Sequence, residues 1–194
     1  MQCSELPIPG AFVIDHPPHR DERGTFARAF CQRDLADVGI DVTVRQVNLS
    51  LSRAAGTIRG LHVQVPPHHE HKLVRCTRGA LLDVIVDLRP ESPSYLRVVQ
   101  VQLVGGDGRS VLVPARCAHG FQSLADDTEA LYVVSQFHSP VAERGLRWDD
   151  PALGIRWPRP LSSISAKDAS WPLLAEQEPR LRSEMSMRSG ALRS

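Results

Sequence analysis

The chain has 194 residues, of which 23 are Lys or Arg and 22 are Asp or Glu, for a formal net charge of +1. That length fits one domain whose core is large enough to be stable without disulfides or a structural metal, and the cancelled charge excludes an overall field that would recruit nucleic acid or an anionic membrane. Cys3, Cys31, Cys76 and Cys117 are scattered with no CxxC pair, which argues against a zinc site and a disulfide framework and fits a reducing cytoplasm.

The opening stretch Met1 to Pro7 lacks the basic and then apolar regions of a signal peptide, and no apolar run approaches the length of a membrane span. A cytoplasmic location with no membrane partner is expected. Ala11-Phe12-Val13-Ile14 predicts a short strand before His16-Pro17-Pro18. Asp21-Glu22-Arg23-Gly24 predicts a turn, followed by a strand over Thr25 to Phe30, and residues 32–38 suit a short helix stopped at Gly39. From Val42 to Asn48 polarity alternates in part, as in a strand half exposed to solvent or to a cavity.

Short strand-like segments then follow one another to about residue 137. In Ala80 to Leu88 a period of two places Leu82, Val84, Val86 and Leu88 on one face and Leu81, Asp83, Ile85 and Asp87 on the other. Arg97 to Val104 runs into the turn Gly105-Gly106-Asp107-Gly108, and Ser110 to Pro114 begins the return. A further strand over Glu129 to Phe137 puts Ala130, Tyr132, Val134 and Gln136 on one face. Many short strands with turns and little helix favour a mainly β, antiparallel sandwich or jelly roll with short peripheral helices. Glu143 to Pro151 reads as irregular and Ser165 to Ala169 as a capped helical turn. A single domain is expected over residues 1–176, with a polar tail, helical or frayed, over residues 177–194.

Arg59-Gly60-Leu61-His62-Val63-Gln64, followed by Pro66-Pro67-His68-His69-Glu70-His71-Lys72, concentrates groups suited to proton transfer. A neutral imidazole takes a proton near neutral pH, and a nearby lysine stabilises the negative charge that the transfer leaves behind. With Asp83, His119, Tyr132 and Asp168 added, proton transfer fits better than acyl transfer, since no Gly-x-Ser-x-Gly elbow or Cys-His signature accompanies the histidines. No Gly-rich phosphate loop is present. Taken singly, each residue has a blander reading: His62 as a structural histidine, Lys72 and Arg59 as surface charges, Tyr132 as a core aromatic, Asp168 as part of a helical first turn.

The motifs Asp21-Glu22-Arg23-Gly24, Arg59-Gly60-Leu61-His62, Lys72-Leu73-Val74-Arg75, Asp83 to Arg89, Ala118-His119-Gly120-Phe121, Leu131-Tyr132, Asp149 to Ile155 and Ser165-Ala166-Lys167-Asp168 occur in this order over roughly residues 5–175. Together they make the chain resemble the dTDP-4-dehydrorhamnose 3,5-epimerase family of sugar-nucleotide enzymes. The resemblance implies a cupin-type jelly roll, a homodimer, and an isomerase acting without metal or organic cofactor on a dTDP-linked 4-keto-6-deoxyhexose. In the family, the C4 ketone acidifies the hydrogens on C3 and C5, and a proton is removed and redelivered on opposite faces of the ring. By position, His62 is the implied base, Asp168 the carboxylate that orients it, Tyr132 the acid on the other face and Lys72 the stabiliser of the enolate oxygen. Arg59 is implied to pair with the diphosphate. Gln46, Asn48, Arg23, Phe26 and His119 are implied to complete the nucleotide and sugar pocket.

Arg28 stands where the family often has an acidic residue, and Phe137-His138 where an aromatic pair is common, so His138 replaces a tyrosine that shapes the substrate pocket. The alternative left open is a single-centre epimerase, at C3 only or C5 only, on a related nucleotide sugar. A non-catalytic or metal-binding cupin is the alternative from another class, because His69 and His71 would share one face of a strand. Against it, Lys72 to Cys76 lacks the glutamate of metal-binding cupins, Arg116 replaces a motif glycine, and binding alone requires no acid and base on opposite faces. Trp148, Trp157 and Trp171 are expected to pack near a dimer contact or a C-terminal lid.

Overall fold

The computed structural model describes residues 1–37 and 39–186. Val38, at the end of the expected 32–38 helix, and residues 187–194 of the polar tail lie outside the described residues. In chain order the first elements are β1 (Gln2–Glu5), β2 (Phe12–Asp15), β3 (His19–Asp21), β4 (Gly24–Phe26) and helix α1 (Gln32–Ala36). There follow β5 (Gln46–Ser52), β6 (Ile58–Gln64), β7 (Lys72–Arg78), β8 (Ala80–Asp87), β9 (Val98–Val104), β10 (Arg109–Val113), β11 (Cys117–Ser123) and β12 (Thr128–Val134). Then come β13 (Glu143–Gly145), the helical turn α2 (Ala166–Ala169) and helix α3 (Leu174–Ser186).

The strands form two facing antiparallel sheets, the jelly-roll arrangement expected from the sequence. One has the order β1-β2-β10-β7-β12-β5, the other β13-β6-β11-β8-β9, and β3 and β4 make a separate hairpin. The alternation in β8 explains the layering. Leu81 and Ile85 point into the core between the sheets with Val74, Val111 and Phe121, whereas Val84, Val86 and Leu88 pack outward with Leu146, Leu181 and Met185. A third apolar layer joins α1, through Leu35, to the outer face of the six-stranded sheet at Ile14, Leu73, Leu112 and Val133.

Several expectations shift. Residues 105–108 do not return β9 on itself: β10 pairs with β2 and β7, so the turn crosses from one sheet to the other. Gly106 and Gly108, at φ of +81° and +84°, permit that reversal. The strand expected from Val42 starts only at Gln46, because pairing with β12 runs from Gln46↔Val134 to Ser52↔Thr128, while Val44 packs near α1. Residues 27–30 and 135–137, read as strand, lie outside β4 and β12. Within the stretch read as irregular, β13 pairs with β6. The line drawn after residue 176 falls inside α3, which buries Leu174, Leu181 and Met185 along one side.

Candidate active site

In a regular strand, residues three apart face opposite ways. Arg59 and His62 nevertheless line one cavity, because β6 carries an extra residue between them. Opposite β11, His62 pairs with His119 but Arg59 pairs with Phe121, three steps on one strand against two on the other. Gly60 in this bulge has a φ of +112°, and a Cβ there would lie 2.7 Å from both Gly120 Cα and His119 O. Only glycine allows that conformation together with that approach.

Asp168 reaches β6 from far along the chain. Ser162 N–H donates to Gly56 O at 3.1 Å and Ile58 N–H to Ser163 O at 2.9 Å, which lays the segment before α2 along the start of β6. Ser165 caps α2, its hydroxyl accepting from Asp168 N–H at 3.0 Å. The buried carboxylate then meets β6 twice, with Oδ1 2.7 Å from His62 Nε2 and Oδ2 accepting from Gly60 N–H at 3.0 Å. An ionised carboxylate can only accept, so Nε2 carries a hydrogen, and in the neutral imidazole the lone pair lies on Nδ1. Burial works to raise the Asp168 carboxyl, but the hydrogen bonds from His62 and Gly60 outweigh it and hold it below its ordinary value. Trp171 backs this pair, its ring edge-on to His62 at 6.5 Å and seated on Gly145, where a Cβ would lie 2.2 Å from the indole.

The six-stranded sheet supplies the opposite wall of a cavity of about 640 Å³, a size that suits a small-molecule ligand. β5 contributes Gln46, Asn48 and Ser50, β7 contributes Lys72, and β12 contributes Tyr132 and Val134. Tyr132 meets the His119 ring edge-on at 6.0 Å, and His119 Nε2 lies 2.7 Å from Asp83 Oδ2 in the core. Burial pushes the Tyr132 phenol up, with the Asp83 charge adding to the effect and Arg59 opposing it, so the hydroxyl stays a donor. Arg59 donates from Nε to Ser52 Oγ at 3.2 Å and from Nη2 to Leu51 O at 2.9 Å, which fixes the guanidinium at the cavity wall. At the exposed edge, His138 N–H donates to Gln46 Oε1 at 2.8 Å and its Nε2 lies 3.3 Å from Glu143 Oε2, which also accepts from Lys167 Nζ at 2.6 Å.

Among the residues singled out in the sequence, His62, Tyr132, Asp168, Lys72, Arg59, Gln46, Asn48, His119 and His138 all line this cavity. Arg23 and Phe26 do not: they lie on the β3–β4 hairpin, which among the described residues pairs only with itself and leaves Phe26 78% exposed in a separate surface groove. Asp83 serves His119, whereas Asp87 is engaged by Arg89, Ser92 and Ser94. His69 and His71 stay outside the cavity with their Nδ1 atoms buried and unpartnered. Among the described residues, no group of three or more His, Cys, Asp or Glu could hold a metal ion. Residues missed in the sequence are Ser50, which continues the alternation of Gln46 and Asn48, Glu70, two positions from Lys72, and Lys167, beside Asp168.

The family model described as dTDP-4-dehydrorhamnose 3,5-epimerase matches residues 5–176. The dTDP-4-dehydrorhamnose 3,5-epimerase of Sinorhizobium fredii is 46% identical over 177 residues, 91% of this chain and 91% of that relative. Its namesake in Salmonella typhimurium is 39% identical over 169 residues, 86% of this chain and 92% of the relative. Among solved structures, the dTDP-6-deoxy-D-glucose-3,5-epimerase of Legionella pneumophila, in complex with dTDP-4-keto-L-rhamnose, is similar with a TM-score of 0.87 and 32% identity, over 93% of this chain and 96% of that one.

Proposed function

The chain belongs to the dTDP-4-dehydrorhamnose 3,5-epimerase family, and from that membership we propose that it inverts C3 and C5 of a dTDP-linked 4-keto-6-deoxyhexose in deoxysugar biosynthesis. His62, held by Asp168, faces Tyr132 across one cavity from the opposite sheet, with Lys72 on the same sheet as Tyr132, and this opposition carries the reading. His62 Nδ1 takes the proton α to the C4 ketone, and the released electron pair moves into an enolate whose charge rests on the C4 oxygen. Lys72 donates to that oxygen, where the charge exists fully only after the transfer. Tyr132 returns a proton to the same carbon from the other face while the electrons restore the ketone, which inverts the centre. His62 then yields its proton to solvent and Tyr132 regains one, so each inversion exchanges a carbon-bound hydrogen with water. Arg59 pairs with the diphosphate, and Gln46, Asn48, His119 and His138 contact the sugar and base. The Legionella relative's complex with dTDP-4-keto-L-rhamnose supports a nucleotide sugar of this kind. The steps invoke these side chains alone, with no cofactor.

The protein acts as a homodimer in the cytoplasm. All four cysteines are free, and no described helix is long and apolar enough to cross a membrane. Edge strand β5 shows solvent an apolar row, Val47, Leu49 and Leu51, at 59%, 65% and 47% exposure, behind the polar row it gives the cavity. Covering such an edge with a second copy removes an aggregation hazard. A second copy would also give Arg23 and Phe26 a pocket to complete.

The test is proton NMR of dTDP-4-keto-6-deoxyglucose in deuterated buffer with the enzyme, following the C3 and C5 hydrogens separately. Loss of both signals with formation of the L-rhamno product is expected. Loss of one alone would assign a single-centre epimerase, and loss of neither would remove the epimerase reading.

A further inference from the structure

The His-rich turn before β7 contributes to the cavity through a residue other than its histidines. His71 N–H donates to Ser135 Oγ at 2.8 Å, and His71 O accepts from Ser135 N–H at 3.1 Å, so residue 71 is clamped against the chain that leaves β12. In an extended segment, residues 70 and 72 project to one side and 69 and 71 to the other. Glu70 and Lys72 line the cavity, and His69 and His71 do not. Glu70 Oε1 lies 3.2 Å from Lys72 Nζ, with the two side chains only 10% and 13% exposed.

We propose that Glu70 is a positioning residue for Lys72, holding its ammonium where the C4 oxygen gains charge. This rests on the role given to Lys72 above. A lysine ammonium is a point charge with three rotatable donors on a flexible stem, so it has no fixed aim of its own. The ion pair with Glu70 sets the nitrogen and leaves its donors for a ligand oxygen. Donors set in advance stabilise developing charge without reorganising as it forms. The carboxylate's own negative charge works against an enolate nearby, so its placement and its charge act in opposite senses. Glutamine separates the two, keeping an acceptor at the same reach without the charge.

Exchange at C3 and C5 with saturating substrate, and dTDP affinity, are measured for the wild type, Glu70→Ala, Glu70→Gln, Lys72→Ala and the Glu70→Ala/Lys72→Ala double variant. Glu70→Ala should slow exchange by about tenfold or more while dTDP affinity stays within about twofold. Glu70→Gln should recover most of the rate, and Glu70→Ala should add nothing once Lys72 is alanine. Should Glu70→Ala not fold, Glu70→Asp gives the same reading by shortening the reach, with slower exchange expected and dTDP affinity kept. A wild-type rate in Glu70→Ala, or in Glu70→Asp where that stands in, would overturn the proposal, as would a matching loss of dTDP affinity, a Gln variant no better than Ala, or an undiminished effect in the Lys72→Ala background. Each of these leaves the epimerase reading standing, because the wild type alone decides it; a wild type without exchange would overturn both.

Discussion

Asp168 and His62 are 106 positions apart in the chain, yet Oδ1 of one lies 2.7 Å from Nε2 of the other. The same carboxylate holds Gly60 N–H, so the base and the bulge that turns it into the cavity share one anchor.

Replacing Asp168 by Asn removes the charge that fixes the tautomer with Nδ1 free. Exchange at C3 and C5 should fall by between about 10²- and 10⁴-fold, and His62→Ala should do at least as much. Titration calorimetry with dTDP should show near wild-type affinity for both variants. Full exchange in Asp168→Asn would remove it from support of the base.

Tyr132→Phe should leave proton removal largely intact but slow redelivery from the other face, so product formation drops more than exchange. Because burial raises the Tyr132 phenol, the hydroxyl remains protonated where an ordinary tyrosine, near about pH 10, begins to ionise. The wild-type rate of product formation should show no alkaline loss traceable to Tyr132 through that range. Such a loss, absent from Tyr132→Phe, would contradict the placement of this side chain.

Arg59→Ala should weaken dTDP binding about 10- to 100-fold, the loss of one hydrogen-bonded charge pair to phosphate. At saturating substrate, kcat should change little, since the guanidinium lies at the cavity wall rather than at the proposed reacting carbons. Unchanged dTDP affinity would remove Arg59 from the diphosphate subsite.

Asp87 ties the end of β8 to the loop beyond it. Burial opposes its ionisation, but Arg89, Ser92 and Ser94 outweigh burial and lower the carboxyl to about 2. A depressed acid stabilises the fold above its unfolded value, about 3.9, and that contribution disappears as pH falls through the folded value. The shift corresponds to about 2 kcal/mol. Urea unfolding should find Asp87→Asn destabilised by at least about this much at pH 7, with the gap to wild type narrowing from about pH 4 down to about pH 2. A gap independent of pH would show that the carboxylate's charge is not what stabilises this loop.

Leu49→Lys places a charge in the middle of the exposed β5 row. Light scattering should report a dimer for the wild type and a monomer, or a sharply weakened dimer, for the variant. A dimer of undiminished stability would move the interface elsewhere.

Alternation alone put Asp83 on one face of β8 with Leu81 and Ile85, and Tyr132 on one face of β12 with Ala130 and Val134, because a strand sorts its side chains by parity whatever it packs against. The ordered motifs were enough to bring Arg59, His62, Lys72, Tyr132 and Asp168 into one proposed site. Parity could not reveal that Arg59 and His62 share a cavity, since the bulge that allows it is defined only against β11. Nor could it seat Asp168, which depends on the segment laid along Gly56 and Ile58, or send β10 to the other sheet after the glycine turn. The polar stretch after residue 176 is helical where Leu181 and Met185 meet the outer face of the five-stranded sheet, and that face is assembled from strands widely separated in the chain. Local sequence decides which side of an element a residue occupies. Contacts between distant elements decide which sides face each other, because only packing and hydrogen bonding in three dimensions set register, bulge and crossover.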